Sequence, residues 1–325
     1  MSRIQRTTRT TRPALRGAFT ALVTPFEADG TLDETTLRQL VRWQVLAGID
    51  GVVPCGTTGE APTLSTEERE RVIAATVETV AERPSRNRVT VIAGTGSNDT
   101  RATVAATRRA ATLGADAALV VAPYYNRPDG RMLEAHFQAV ADEGDLPIVV
   151  YNVPSRTGSN VPADVFLRLA EHPRVIAIKE ASGNLEQIGR ICRDRPRDVA
   201  VLAGDDAWTL AVMAMGGDGV VSVASNEIPS EMAALCAAAR AGDWDGARRI
   251  HERWLPIFLA NFQGGPNPVP VKAAMQAMGL LGTDAVRQPL LPLADADRER
   301  LATTLRELAL LQADAVPARP AELVA

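Results

Sequence analysis

Lysine is almost missing from this chain. Of its 35 Lys+Arg residues only Lys179 and Lys272 are lysine, which leaves 33 arginines. Arginine supplies positive charge, but its guanidinium stays protonated at any working pH and cannot act as an amine nucleophile. A lysine kept against that background is a candidate for amine chemistry; the plainer account of Lys179 is a strand-end side chain snorkelling to water. Cysteine and histidine are nearly as scarce. Cys55, Cys192 and Cys236 are odd in number, widely spaced and without a C-x-x-C pair, which argues against a disulfide framework and suits a reducing cytoplasm. His136, His172 and His251 form no H-x-x-x-H or carboxylate-bracketed pair, so no metal is expected. No apolar run approaches the length that spans a bilayer, and a net charge of −4 sets up no field to recruit nucleic acid or an anionic membrane. A soluble protein with small-molecule partners is expected.

Residues 1–16 carry Arg3, Arg6, Arg9, Arg12 and Arg16, many threonines and no acid. Such a composition can mimic a transit peptide, but without an apolar segment it is no secretory signal, and a disordered basic tail is expected. Residues 313–325, with Pro317, Pro320 and small residues, read as a second frayed tail.

Between the tails, short β-rich runs alternate with helical ones. Strands are predicted at 17–25, 51–55, 89–93, 117–122, 147–151, 175–179, 199–203 and 219–223. Helix starts are marked by Asp33 as a cap and by Ser65-Thr66-Glu67-Glu68, which has capping-box chemistry. Eight βα repeats predict a closed (β/α)8 TIM barrel over 17–242; a doubly wound open sheet, usually of about five or six strands, would leave units unexplained. After Gly242 the β signal vanishes, and helical patterns at 244–260, 270–278 and 295–311 predict a C-terminal helical domain over 243–312.

Barrels of this kind place their chemistry at the C-terminal ends of the strands. Strand two ends here in Gly56-Thr57-Thr58-Gly59-Glu60, strand four in Pro123-Tyr124-Tyr125-Asn126-Arg127-Pro128 and strand five in Tyr151-Asn152-Val153-Pro154-Ser155-Arg156-Thr157-Gly158. Strand six runs from Val175 straight into Lys179. Thr57 and Thr58, between glycines, can set hydroxyls and backbone N–H groups around a carboxylate, or can simply close a tight turn. Tyr124, Tyr125 and Tyr151 are all the tyrosines in the chain, and all lie at strand ends. Schiff-base formation needs a neutral primary amine, which desolvation at the end of an apolar strand favours, and a phenol beside it suits the proton transfers. Arg156 can hold a carboxylate bidentately, or be one more surface ion pair. Gly94-Thr95-Gly96-Ser97-Asn98-Asp99 begins like a dinucleotide fingerprint but lacks its final glycine or alanine, and Gly204-Asp205-Asp206 lacks the further ligands of a cation site.

In their order and spacing these motifs, with GGDGVVSVASN at Gly216 to Asn226 and PNPVPVK at Pro266 to Lys272, resemble the dihydrodipicolinate synthase branch of the N-acetylneuraminate lyase superfamily. The resemblance implies a pyruvate-dependent class I aldolase on a (β/α)8 barrel with a C-terminal helical domain, assembled as a dimer of dimers. No cofactor is implied beyond pyruvate held covalently. Lys179 matches the Schiff-base lysine and Tyr151 the tyrosine that assists imine formation. Thr57 resembles the threonine linking that tyrosine to a second one from the neighbouring subunit, which Tyr125 resembles. Thr58 is similar to the residue that binds the pyruvate carboxylate, and Arg156 to the one that holds the carboxylate of aspartate semialdehyde. Val221 stands where a backbone carbonyl faces the site, and Gly204 among the substrate contacts.

The implied reaction joins pyruvate to L-aspartate 4-semialdehyde, giving 4-hydroxy-tetrahydrodipicolinate on the route to diaminopimelate and lysine. A sugar-acid aldolase of the same superfamily is the sister alternative, against which Arg156 speaks. A pyruvate-binding regulator without turnover is the other, against which the intact Lys179, Tyr151, Thr57 and Tyr125 speak. Where such synthases bind inhibitory lysine, the resemblance puts Ala102 in place of a glutamate, and Thr66 and Arg69 in place of histidines, implying insensitivity to lysine.

Overall fold

A computed structural model describes residues 15–82 and 89–311. The expected tails therefore lie outside the described residues except at Leu15 and Arg16. Leu15 departs from the expected tail: it is buried in one cluster with Phe19, Ile176 and Ala200 inside the barrel.

Eight parallel strands close into a barrel in sequence order. They are β1 Gly17–Ala21, β2 Gly51–Val53, β3 Thr90–Gly94, β4 Ala117–Val121, β5 Ile148–Asn152, β6 Val175–Glu180, β7 Ala200–Ala203 and β8 Gly219–Ser222, with β1 pairing β8 to close it. Around them run α1 Glu34–Leu46, α2 Thr66–Ala81, α3 Thr100–Thr112, α4 Gly130–Glu143, the short α5 Pro154–Thr157, α6 Ala163–Leu169, α7 Leu185–Asp194, α8 Thr209–Ala214 and α9 Pro229–Ala241. The C-terminal part is helical, as expected: α10 Trp244–Ala260, α11 Val269–Ala277 and α12 Asp295–Glu307. The predicted caps form. Asp33 accepts from the Thr36 amide, and Ser65 and Glu68 make the reciprocal capping box.

Parallel strands covered on the outside by helices should be buried on both faces, and these are. Phe19, Val53, Ile92, Leu119, Val149, Ala177, Leu202 and Val221 fill the interior, while Ala18, Val52, Val91, Val150, Ile178 and Val201 pack under the helices. That alternation sends Tyr151 and Lys179 inward and their neighbours Asn152 and Glu180 outward, where Asn152 Nδ2 donates to Glu180.

Two strand ends, those of β1 and β2, differ from the sequence expectation by more than one residue. β1 ends at Ala21, and beyond Leu22, whose N–H still donates to Val53 O, the chain bonds outside the sheet: Val23 N–H donates to Asn226 Oδ1 and Thr24 Oγ1 to Gly59 O. β2 stops at Val53, two residues before Cys55 enters the left-handed region at φ 56.

Candidate functional site

Two of the predicted residues meet directly. Tyr151 and Lys179 are register partners on β5 and β6, and Lys179 Nζ lies 4.4 Å from the centroid of the Tyr151 ring. Both side chains are 5% exposed, so the amine sits in a nearly dry mouth against an aromatic face. Among the described residues no hydrogen bond or ion pair commits Lys179 Nζ.

Glycine at 204 makes room for it. A Cβ there would stand 3.2 Å from Lys179 Cε and 2.6 Å from Ala181 Cβ, so the end of β7 can close on the lysine only without a side chain. Asp205, next in the chain, is half-buried; burial raises its carboxyl pKa while the Lys179 charge acts the other way. Val221 lies inside the barrel on β8, beside Phe19 of β1.

A cavity of about 230 Å³ is lined by Thr57, Cys55, Arg69, Tyr124, Tyr151 and Arg156 among others. Thr57 and Tyr151 thus face the same cavity. Arg156 is exposed on α5, a one-turn helix missed in the sequence although Pro154 at its start is a helix-opening signal. Cys55 is no nucleophile here, since burial pushes its thiol up to about 12.

The turn bearing Thr57 and Thr58 is bracketed by two left-handed non-glycine residues, Cys55 (φ 56) and Glu60 (φ 53). Such conformations cost roughly 1–3 kcal/mol each and persist where their surroundings hold them. The amides of Gly59, Glu60 and Ala61 turn back onto Gly56 O and Thr57 O, while those of Thr57 and Thr58 take no backbone partner among the described residues. Thr58 itself is buried and does not line the cavity.

What holds this turn comes from the C-terminal helices, a part sequence reasoning left without a role. Lys272 Nζ lies 2.5 Å from Glu60 Oε1 and donates also to Ala285 O, with the Phe26 ring 4.2 Å below. Arg287 N–H donates to Glu60 Oε2, and the Arg287 guanidinium pairs with both oxygens of Glu68, which holds that carboxyl down to about 2. Asn267 Nδ2 donates to Thr58 Oγ1 at 3.0 Å. The signals were the second of only two lysines and the acid closing the threonine turn.

Tyr125 is the exception among the expected residues. It is 90% exposed, with φ 74, and is not among the residues that line the cavity of its own chain. Among the described residues no group of three or more His, Cys, Asp or Glu is placed to hold a metal, and no helix is long and apolar enough to cross a membrane.

A closed (β/α)8 barrel that buries a lysine amine against a tyrosine at its C-terminal mouth has the architecture of a carbonyl-condensing lyase. The dihydrodipicolinate synthetase family model matches residues 14–308, and the chain belongs to that family. It is 46% identical to the 4-hydroxy-tetrahydrodipicolinate synthase of Koribacter versatilis, over 92% of this chain and 97% of that one. The dihydrodipicolinate synthase structure from Thermotoga maritima superposes with a TM-score of 0.88 at 39% identity, covering 92% and 100% of the two chains. A chloride-inhibited dihydrodipicolinate synthase from Acinetobacter baumannii, complexed with pyruvate, gives 0.87 at 39%, covering 91% and 99%.

Proposed function

We propose that this chain is a 4-hydroxy-tetrahydrodipicolinate synthase, a Schiff-base lyase that condenses pyruvate with L-aspartate 4-semialdehyde. The observation that carries the reading is the uncommitted Lys179 amine, buried against Tyr151 at the barrel mouth in a chain nearly devoid of lysine. As a neutral amine, Lys179 Nζ attacks the keto carbon of pyruvate; the carbinolamine loses water to give an imine, the Tyr151 phenol relaying the protons. The protonated imine withdraws electrons, a proton leaves the pyruvate methyl group, and the enamine carbon attacks the aldehyde. The aldehyde oxygen takes up a proton to become a hydroxyl, and the amino group of the semialdehyde then attacks the imine carbon, closing the ring and displacing the Lys179 amine, so that one water is lost overall.

Each remaining residue has a task in this scheme. Thr57 links Tyr151 to Tyr125 of a neighbouring copy, and the 90% exposure of Tyr125 supports its serving another chain's mouth. A homotetramer built as a dimer of dimers is proposed from the family resemblance, with the contact at Tyr125 completing the site. Thr58 holds the pyruvate carboxylate, Val221 presents its backbone carbonyl, Gly204 admits the substrate beside Lys179, and Arg156, free on the cavity wall, receives the aldehyde's carboxylate. No cofactor enters the scheme, and a cytoplasmic setting supplies both small-molecule substrates.

A coupled assay offering aspartate semialdehyde and sugar aldehydes side by side tests the reading. Turnover restricted to aspartate semialdehyde is expected, and Arg156→Ala should cut its kcat/KM by roughly 30- to 1,000-fold, about 2–4 kcal/mol, while pyruvate capture persists. Preference for a sugar aldehyde would assign the chain to the sister activity, and absence of turnover would make it a pyruvate-binding regulator.

A further inference from the structure

The helical domain reaches the proposed pyruvate site at one atom. Asn267, just before α11 and 6% exposed, donates from Nδ2 to the hydroxyl oxygen of Thr58, which is 2% exposed. The turn that bears Thr58 is tied down nearby, since Glu60 takes both the Lys272 ammonium and the Arg287 amide. A threonine hydroxyl has a single proton and accepts through its lone pairs. Because Asn267 occupies an acceptor position, the Thr58 proton is left to point elsewhere, and among the described residues it donates to no partner. A hydroxyl so constrained offers a donor to an anion; one free to rotate offers either polarity.

We infer that Asn267 is a positioning residue for pyruvate: it fixes the Thr58 hydroxyl as a donor toward the substrate carboxylate, so that the C-terminal helical domain forms the back of the pyruvate pocket. This rests on the proposed role of Thr58. It adds that the helical domain acts on one substrate, pyruvate, and not on the aldehyde. A carboxylate at 267 would make the opposite polarity favourable: it would accept the Thr58 proton, turn hydroxyl lone pairs toward the substrate anion and add a like charge behind them.

The test is steady-state kinetics of the full-length enzyme, with pyruvate and aspartate semialdehyde varied separately, for Thr58→Val, Asn267→Ala, Asn267→Asp and the double variant Thr58→Val/Asn267→Ala. Thr58→Val should raise KM for pyruvate about tenfold, Asn267→Ala by about three- to tenfold and Asn267→Asp by more than either, with KM for the semialdehyde changed less than about twofold. The double variant should match Thr58→Val alone, because Asn267 has nothing left to orient. Asn267→Ser, which keeps a donor of smaller size, should fall between wild type and Ala, and serves if the alanine variant does not fold. If Thr58→Val leaves KM for pyruvate unchanged, the role of Thr58 fails and the inference with it. If Thr58→Val raises it but the Asn267 variants do not, the inference alone is overturned. Equal losses for both substrates with additive effects in the double variant would reduce Asn267 to structural support, which also overturns it.

Discussion

Lys272 and Glu60 meet 2.5 Å apart with side chains each 1% exposed, joining the C-terminal helices to the turn that carries Thr57 and Thr58. Burial pulls the Lys272 pKa down while the Glu60 charge opposes that, so the ammonium depends on its partner. Its donors are already matched to Glu60, Ala285 O and the Phe26 face, in a space sized for a compact ammonium rather than a planar guanidinium.

Removing one side of such a pair leaves the other charge buried. Lys272→Met should therefore cost about 3–5 kcal/mol of stability, and adding Glu60→Gln, which can still accept from the Arg287 amide, should restore much of it. Urea midpoints of the two single variants and the double variant check this. Additive single effects would show that the pair is not coupled.

This pair also marks how far sequence could be read. Rarity singled out lysine but could not separate a lysine kept for its reactive amine from one kept for its size; burial with a bound carboxylate does, and that requires Glu60, 212 positions away, to be placed. The barrel was legible because its strands are short apolar runs in strict alternation with helices. Helix starts were legible because caps are local chemistry. The end of β1 was not, since Asn226 and Gly59, which draw residues 23 and 24 off the sheet, are distant in sequence. Tyr151 and Lys179 were recognisable by type and strand position, whereas Asn267, though inside the PNPVPVK motif, suggested no role of its own, because an asparagine among prolines reads as a turn.

Asp206 should give the fold a pH signature. Its Oδ2 accepts the amides of Val223 and Ala224, and burial pushes its carboxyl up to about 6. Between the unfolded value of about 4 and that folded value, the native state binds the extra proton, so this group's contribution falls as pH rises and the loss is complete above about pH 6. Asp206→Asn keeps an acceptor for both amides and cannot ionise. Its stability advantage over the parent should grow from near zero below about pH 4 to at most about 3 kcal/mol above about pH 6, at about 1.4 kcal/mol per unit. Urea midpoints across that range measure it, and a difference independent of pH would clear Asp206 as the source.

The exposure of Tyr125 leads to a mixing experiment. Tyr125→Phe and Lys179→Arg subunits should each be inactive, and exchange between them should restore some turnover, because one mouth in a mixed dimer then holds both wild-type groups. No recovery after demonstrated exchange would place Tyr125 in its own chain's site.

Lysine should not inhibit this enzyme at millimolar concentration. Ala102 is exposed on α3 and offers an incoming ammonium no carboxylate of its own, the neighbouring Asp99 Oδ1 already accepts the amides of Arg101 and Ala102, and Arg69 Nη2, held at Ala61 O on the cavity wall, adds like charge. Loss of such a pair weakens binding by roughly 100-fold or more. Titration of lysine into the coupled assay checks it, and half-inhibition below about 1 mM, roughly 4 kcal/mol of binding, would contradict it.

The most direct test of the central claim is covalent capture. Incubation with pyruvate and borohydride should add one reduced pyruvyl group per chain, and peptide mapping should place it on Lys179, with Lys179→Arg folded but unlabelled. An adduct on Lys272, or none at all, would contradict the account.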